Sequence, residues 1–109
     1  MTNKIVVLST CADEKEAEKI ARALLDERLA ACINVVSGVR SLYRWKGAVE
    51  GASECLLLIK SSRELFPALS AAIRKAHSYE VPEVLALPVV EGADNYLSWL
   101  DGSLRSEAQ

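Results

Sequence analysis

A chain of 109 residues with 50% hydrophobic and 26% charged side chains is one domain's worth of globular protein, far from the apolar-poor composition of disorder. With 13 basic against 15 acidic residues the formal charge is −2, so no basic surface is available to neutralise a phosphate backbone and no nucleic-acid partner is expected. The longest wholly apolar run, Cys55 to Ile59, falls far short of the roughly 18 residues that a membrane span needs.

Met-Thr-Asn-Lys leads straight into a strand-like segment without the layout of a signal peptide, so the expected compartment is the cytoplasm and no membrane partner is expected. Three cysteines, Cys11, Cys32 and Cys55, form no C-x-x-C pair and read as reduced thiols. Lys4 to Thr10 is a β-branched apolar run, read as a strand buried on both faces. Asp13 and Glu16 have capping-box spacing, and Ala17, Ile20, Ala21, Leu24, Leu25 and Arg28 then recur at three and four residues, predicting a helix to about Glu27 or Leu29.

From Ala31 to Trp45 the period changes to two, with Ile33, Val35, Val39, Tyr43 and Trp45 sharing one parity and Gly38 interrupting as a bulge or bend. Lys46-Gly47 supplies a turn, and Val49 to Lys60 returns as the second strand of a hairpin. Ser61 and Ser62 can both cap a second helix, Ser61 having capping-box spacing with Glu64, and the stripe of that helix is Leu65, Leu69, Ile73 and Ala76. Pro67 sits too far in for a comfortable first turn, which predicts a late or irregular start. Val84 to Val90 reads as a fourth strand with Pro88 near an edge or end. Tyr96, Leu97, Trp99, Leu100 and Leu104 mark a C-terminal helix, followed by a frayed tail over Arg105 to Gln109.

The order is β-α-β-β-α-β plus a helix, an α+β, ferredoxin-like domain over residues 1–109 with two helices on one face of an antiparallel sheet. A strand of about fourteen residues reaches roughly 46 Å, beyond the roughly 35 Å across a domain of this size. The hairpin should therefore project, carrying Leu42, Tyr43 and Trp45 on an unpaired edge, and pairing with other copies would cover it.

The sequence has no P-loop, no G-x-G-x-x-G, no G-x-S-x-G and no H-E-x-x-H, and nothing ties a nucleophile to its one histidine, so no catalysis is expected. His77, with Tyr79, Glu80 and Glu83 close behind, has the chemistry of a borderline metal ligand with a carboxylate helper; it is equally a residue favoured at a helix C-terminus by the dipole. Cys11 lies where strand gives way to helix and is either an activated thiol or a small buried hydrophobe, whereas Cys32 and Cys55 read as core. Tyr43 and Trp45 suit stacking on a ligand ring or, more often for projecting strands, anchoring an interface.

The stretches Leu29 to Gly47 (LAACINVVSGVRSLYRWKG), LLLIKS around Leu57, His77 to Val89 (HSYEVPEVLALPV) and Tyr96 to Leu100 (YLSWL) together resemble the CutA divalent-cation-tolerance family. The resemblance runs from Ile5 to about Leu104. It implies a cytoplasmic homotrimer joined by strand pairing between subunits, with a role in tolerance of copper and other divalent cations and no organic cofactor. Trimer and fold are also similar to the PII signalling proteins, so a signalling or scaffold module that binds a small molecule or protein at inter-subunit clefts is the alternative. Some family members carry a cysteine near the end of the first strand and tandem histidines later. Here Ser9 stands at the cysteine's place with Cys11 two residues on, Ala76 precedes His77, and Ser78 replaces a proline. The metal site that the resemblance implies is thus His77 with Cys11 and Glu80, binding Cu(II) weakly and in an oxygen-rich or shared manner.

Overall fold

The computed structural model describes residues 2–106, so the part of the expected tail at 107–109 lies outside the described residues. The elements are β1 (Lys4–Cys11), α1 (Glu14–Asp26), β2 (Cys32–Trp45), β3 (Ala48–Ser62), α2 (Phe66–Ala76), β4 (Leu85–Pro88) and α3 (Asp94–Ser103). The sheet order is β2-β3-β1-β4, every pair antiparallel. This is the ferredoxin-like arrangement, with the additional C-terminal helix.

One sheet face packs on the helices. Ile5, Val7 and Cys11 of β1 and Cys55, Leu57 and Ile59 of β3 share it, joined by Ile20 and Leu24 of α1, Leu69 and Ile73 of α2, and Leu100 of α3. Contrary to the sequence reading, β1 is not equally buried on its two sides. Val6, Leu8 and Thr10 on its other face are only half-buried, because no helix covers that side.

The capping pattern of α1 is realised: the Asp13 carboxylate accepts from the Glu16 amide at 2.9 Å, and Glu16 reaches back to the Ala12 amide at 3.1 Å. At its other end Arg28 takes a left-handed conformation (φ 56), with the Arg28 and Leu29 amides donating to Leu25 and Leu24. The expected cap at Ser61 does not form. Ser61 still belongs to β3, buried, and its hydroxyl donates to the Leu29 carbonyl at 2.7 Å. A 3-10 turn, Arg63–Leu65, precedes α2 and brings Pro67 into the first turn of the helix, where a missing amide costs nothing. β4 is shorter than the apolar run suggests and ends at Pro88, at the sheet edge beyond β1.

The hairpin is long, 14 and 15 residues, and stretches the domain to 44 × 26 × 22 Å. Lys46 (φ 50) and Gly47 (φ 85) make its two-residue turn with both residues left-handed, matching the twist of the strands. Between Val36, paired with Leu56, and Val39, paired with Glu54, β2 advances three residues while β3 advances two. This bulge, with Gly38 at φ 73, has one consequence that parity alone misreads. Ile33 and Val35 pair with Ile59 and Leu57 on the helix-covered face, whereas Val39, Tyr43 and Trp45 pair with Glu54, Glu50 and Ala48 on the opposite face.

Candidate functional site

Three segments converge where the covered sheet meets the bare hairpin: the end of β1, the first turn of α1, and the chain after α2. His77 closes α2 in an extended conformation, and its side chain is fully buried. Its Nδ1 lies 3.1 Å from the Tyr79 amide and its Nε2 lies 2.7 Å from the Thr10 carbonyl. An amide can only donate and a carbonyl can only accept, so the network assigns a neutral imidazole with its proton on Nε2.

Glu16 staples the same corner. One carboxylate oxygen accepts from the Ala12 amide, and the other accepts from the Ser78 amide at 2.7 Å and sits 3.8 Å from His77 Nδ1. Burial opposes its ionisation, but hydrogen bonds from Ser78 and Ala12 outweigh that and hold the Glu16 carboxyl below its ordinary range. Tyr79 packs its ring 4.6 Å from the imidazole and donates its hydroxyl to Glu54 at 2.6 Å. Burial, and then the Glu54 carboxylate, push the Tyr79 hydroxyl well above the ordinary tyrosine value, and Glu54 itself is buried.

On the helix-free side these groups form one wall of a cleft of about 690 Å³. Thr10 and Glu54 line its base, Arg40, Leu42, Tyr43, Trp45 and Glu50 its hairpin side, and Tyr79, Glu80 and Glu83 the other side. Four carboxylates against one guanidinium give it a negative bias, and three aromatic rings give it stacking surface.

The residues expected to hold a metal stand as follows. His77 and Cys11 occupy the same corner, since His77 bonds the carbonyl of the residue preceding Cys11. Both imidazole nitrogens are engaged, so an ion could use the ring only by displacing one of these bonds. The Cys11 thiol is fully buried and donates to the Asp13 carbonyl at 3.6 Å. Burial, followed by the charge of Glu16, pushes it up to about 11, so of its two readings the small buried hydrophobe fits and the activated thiol does not. Glu80 lies apart, on the exposed rim of the cleft. Among the described residues, no three histidine, cysteine, aspartate or glutamate side chains are placed to hold a metal ion together. The residues therefore do not fit a metal centre closed within one subunit. Cys32, expected in the core, is half-buried instead.

Leu42 (68% exposed), Tyr43 (41%) and Trp45 (39%) stand uncovered on the hairpin. Glu54 and Arg40 were not singled out from sequence, and Glu16 only as half of a capping box. Glu16 has a legible signal in its capping-box spacing, whereas Glu54 and Arg40 gain their meaning only from pairing across strands.

Residues 5–103 match the family described as CutA1 divalent ion tolerance protein. The chain belongs to the CutA1 family. The divalent-cation tolerance protein CutA of Thermus thermophilus is 50% identical over 95 residues, covering 87% of this chain and 92% of that one. A solved structure of a divalent cation tolerance protein from Thermus thermophilus superposes with a TM-score of 0.92 at 46% identity over 94% of this chain and 99% of that one. The chloroplastic CutA of Arabidopsis thaliana is 43% identical over 102 residues, 94% of this chain but only 56% of the plant protein. CutA1 membership agrees with the fold, and the two Thermus thermophilus matches are named for divalent-cation tolerance.

Proposed function

We propose that this CutA1-family protein serves divalent-cation tolerance as a cytoplasmic homotrimer, meeting copper or a similar cation weakly at clefts between subunits. The observation that carries the assembly is the helix-free face of the sheet. Val6 and Leu8 of β1 pair with Leu87 and Leu85 of β4, and Leu56 and Val36 extend the same face across β3 and β2. Leu85 is 57% exposed, Leu87 49% and Val36 41%, so a continuous apolar surface lies bare in one subunit. Tyr43 and Trp45 open onto the same side, and Leu42 extends from the hairpin beside them.

The negative bias of the cleft supports a cation there, and Glu80 with Glu83 on its exposed wall supplies oxygen donors of the kind a weak, shared site uses. His77 and Cys11 belong behind that wall. A second reading is favoured by the aromatic lining of Tyr43, Trp45 and Tyr79: a module that takes a small molecule or a peptide in the cleft, with cation effects indirect.

Light scattering at low micromolar concentration should give three times 11.9 kDa, and a soluble monomer would refute the assembly. Titration calorimetry with Cu(II) and Zn(II) then separates the readings. Saturable copper binding that Glu80→Gln weakens and the trimer survives supports the first; no saturable binding of either ion supports the second. Loss of binding in His77→Ala with Glu80→Gln unaffected would move the site to the imidazole.

A further inference from the structure

Cys11 and Cys55 face each other directly across the β1–β3 ladder. Residues directly opposed in an antiparallel pair have Cα atoms about 4.5–5.5 Å apart and side chains on the same face. That separation lies inside the about 4.4–6.8 Å that disulfides span. Both side chains belong to the same buried cluster, both thiols are free, and Cys32 is elsewhere, on β2 opposite Lys60.

We propose that Cys11 and Cys55 are a modification site: a cross-strand dithiol that a hydroperoxide converts to a disulfide and a thiol reductant restores. The pair is buried at the edge of the core, where local opening of the strand ends admits a small oxidant. Cys11 is the last residue of β1, next to exposed Ala12 and Asp13, and Cys55 lies two residues in from exposed Ser53, where the bare half of the hairpin ends. In the reaction one thiolate attacks the peroxide O–O bond, giving a sulfenic acid and releasing an alcohol. The second thiolate attacks that sulfur, forms the S–S bond and expels hydroxide, which takes up a released proton as water. Two thiols and one hydroperoxide thus become one disulfide, one alcohol and one water. The buried environment that holds the Cys11 thiol protonated, up to about 11, slows the first attack but favours the uncharged product.

The cross-link lies beside the two bonds that fix the cleft wall. Thr10, which precedes Cys11, accepts from His77, and Glu54, which precedes Cys55, accepts from Tyr79. A bond between the two sulfurs therefore fastens the strands at the point from which that wall is held.

The test uses the full chain carrying Cys32→Ser, which leaves only the opposed pair, treated in its native state with hydrogen peroxide. Both thiols should disappear together with loss of two hydrogens in mass, peptide mapping should join Cys11 to Cys55 within one chain, and the melting temperature should rise by several degrees and return on reduction. Thiols that survive treatment sufficient to cross-link the urea-unfolded chain would overturn the proposal. So would sulfinic acid in place of the bond, a bond between chains, or a lowered melting temperature.

Discussion

Replacing Ser9 by alanine should stabilise the protein. Ser9 lies on the helix-covered face of β1, fully buried between Val7 and Cys11, and its hydroxyl has no hydrogen-bond partner among the described residues. A hydroxyl buried without a partner costs about 1–3 kcal/mol on protein scales. Its removal leaves a void of roughly 10–15 Å³, which at about 24 cal/mol per Å³ returns only about 0.3 kcal/mol of that gain. The net expectation is about 1–2 kcal/mol of added stability. Ser61 provides the internal control, on the same face of the neighbouring strand opposite Ile5 and equally buried. Its hydroxyl donates to the Leu29 carbonyl, so Ser61→Ala should cost about 1–2 kcal/mol by orphaning that acceptor. Urea unfolding at one fixed protein concentration measures both, because any assembly makes apparent stability depend on concentration. The two variants should move the midpoint in opposite directions. A loss of stability in Ser9→Ala comparable with that in Ser61→Ala would refute the reasoning.

Gly47→Ala should cost about 1 kcal/mol, since a side chain at φ 85 is strained although nothing crowds it, and thermal melting reads the loss directly. Glu16 is held below its ordinary carboxyl range in the fold, so its contribution is present above that range and lost as pH falls through the folded value. Urea midpoints at pH 7 and pH 3 should therefore converge between wild type and Glu16→Gln. Cys11 has the opposite sign: raised from 9.0 to about 11, it contributes in full below the ordinary thiol value and loses that contribution as pH rises to about 11. The loss is at most about 3 kcal/mol, and Cys11→Ala should flatten the alkaline limb of a stability–pH profile.

The fold was legible wherever a period persisted. Alternation in β2 and β3, the stripe of α1 and the positive-φ turn at Lys46-Gly47 depend on local geometry that the sequence carries. Ser61 shows why boundaries are harder to read. A serine three residues before a glutamate offers a cap, but the strand that precedes it had the stronger claim, with a buried ladder position and a carbonyl acceptor from Leu29. The two faces of β1 differ for a similar reason. Val6 and Leu8 are as apolar as Val7, and only the placement of the helices decides which of them is covered.

The site was less legible because its parts are joined by backbone atoms and by register. His77 was identifiable as the one imidazole, but the Thr10 carbonyl and Tyr79 amide that occupy its nitrogens have no sequence signal. The bulge at Ser37–Gly38 acts more widely: one extra residue in β2 sends every later side chain to the other face. Deleting Ser37 and Gly38 together should therefore restore a plain ladder and return Tyr43 and Trp45 to the parity of Ile33 and Val35, while Leu42 and Arg44 take the opposite parity. If the aromatic pair anchors neighbouring subunits there, the deletion should leave the circular dichroism of the subunit intact while light scattering reports a smaller particle. A variant that keeps both its secondary structure and its assembly would show that the outer hairpin contributes to the interface by its backbone edge alone, with the apolar face over Val6, Leu8 and Leu56 supplying the remaining contact.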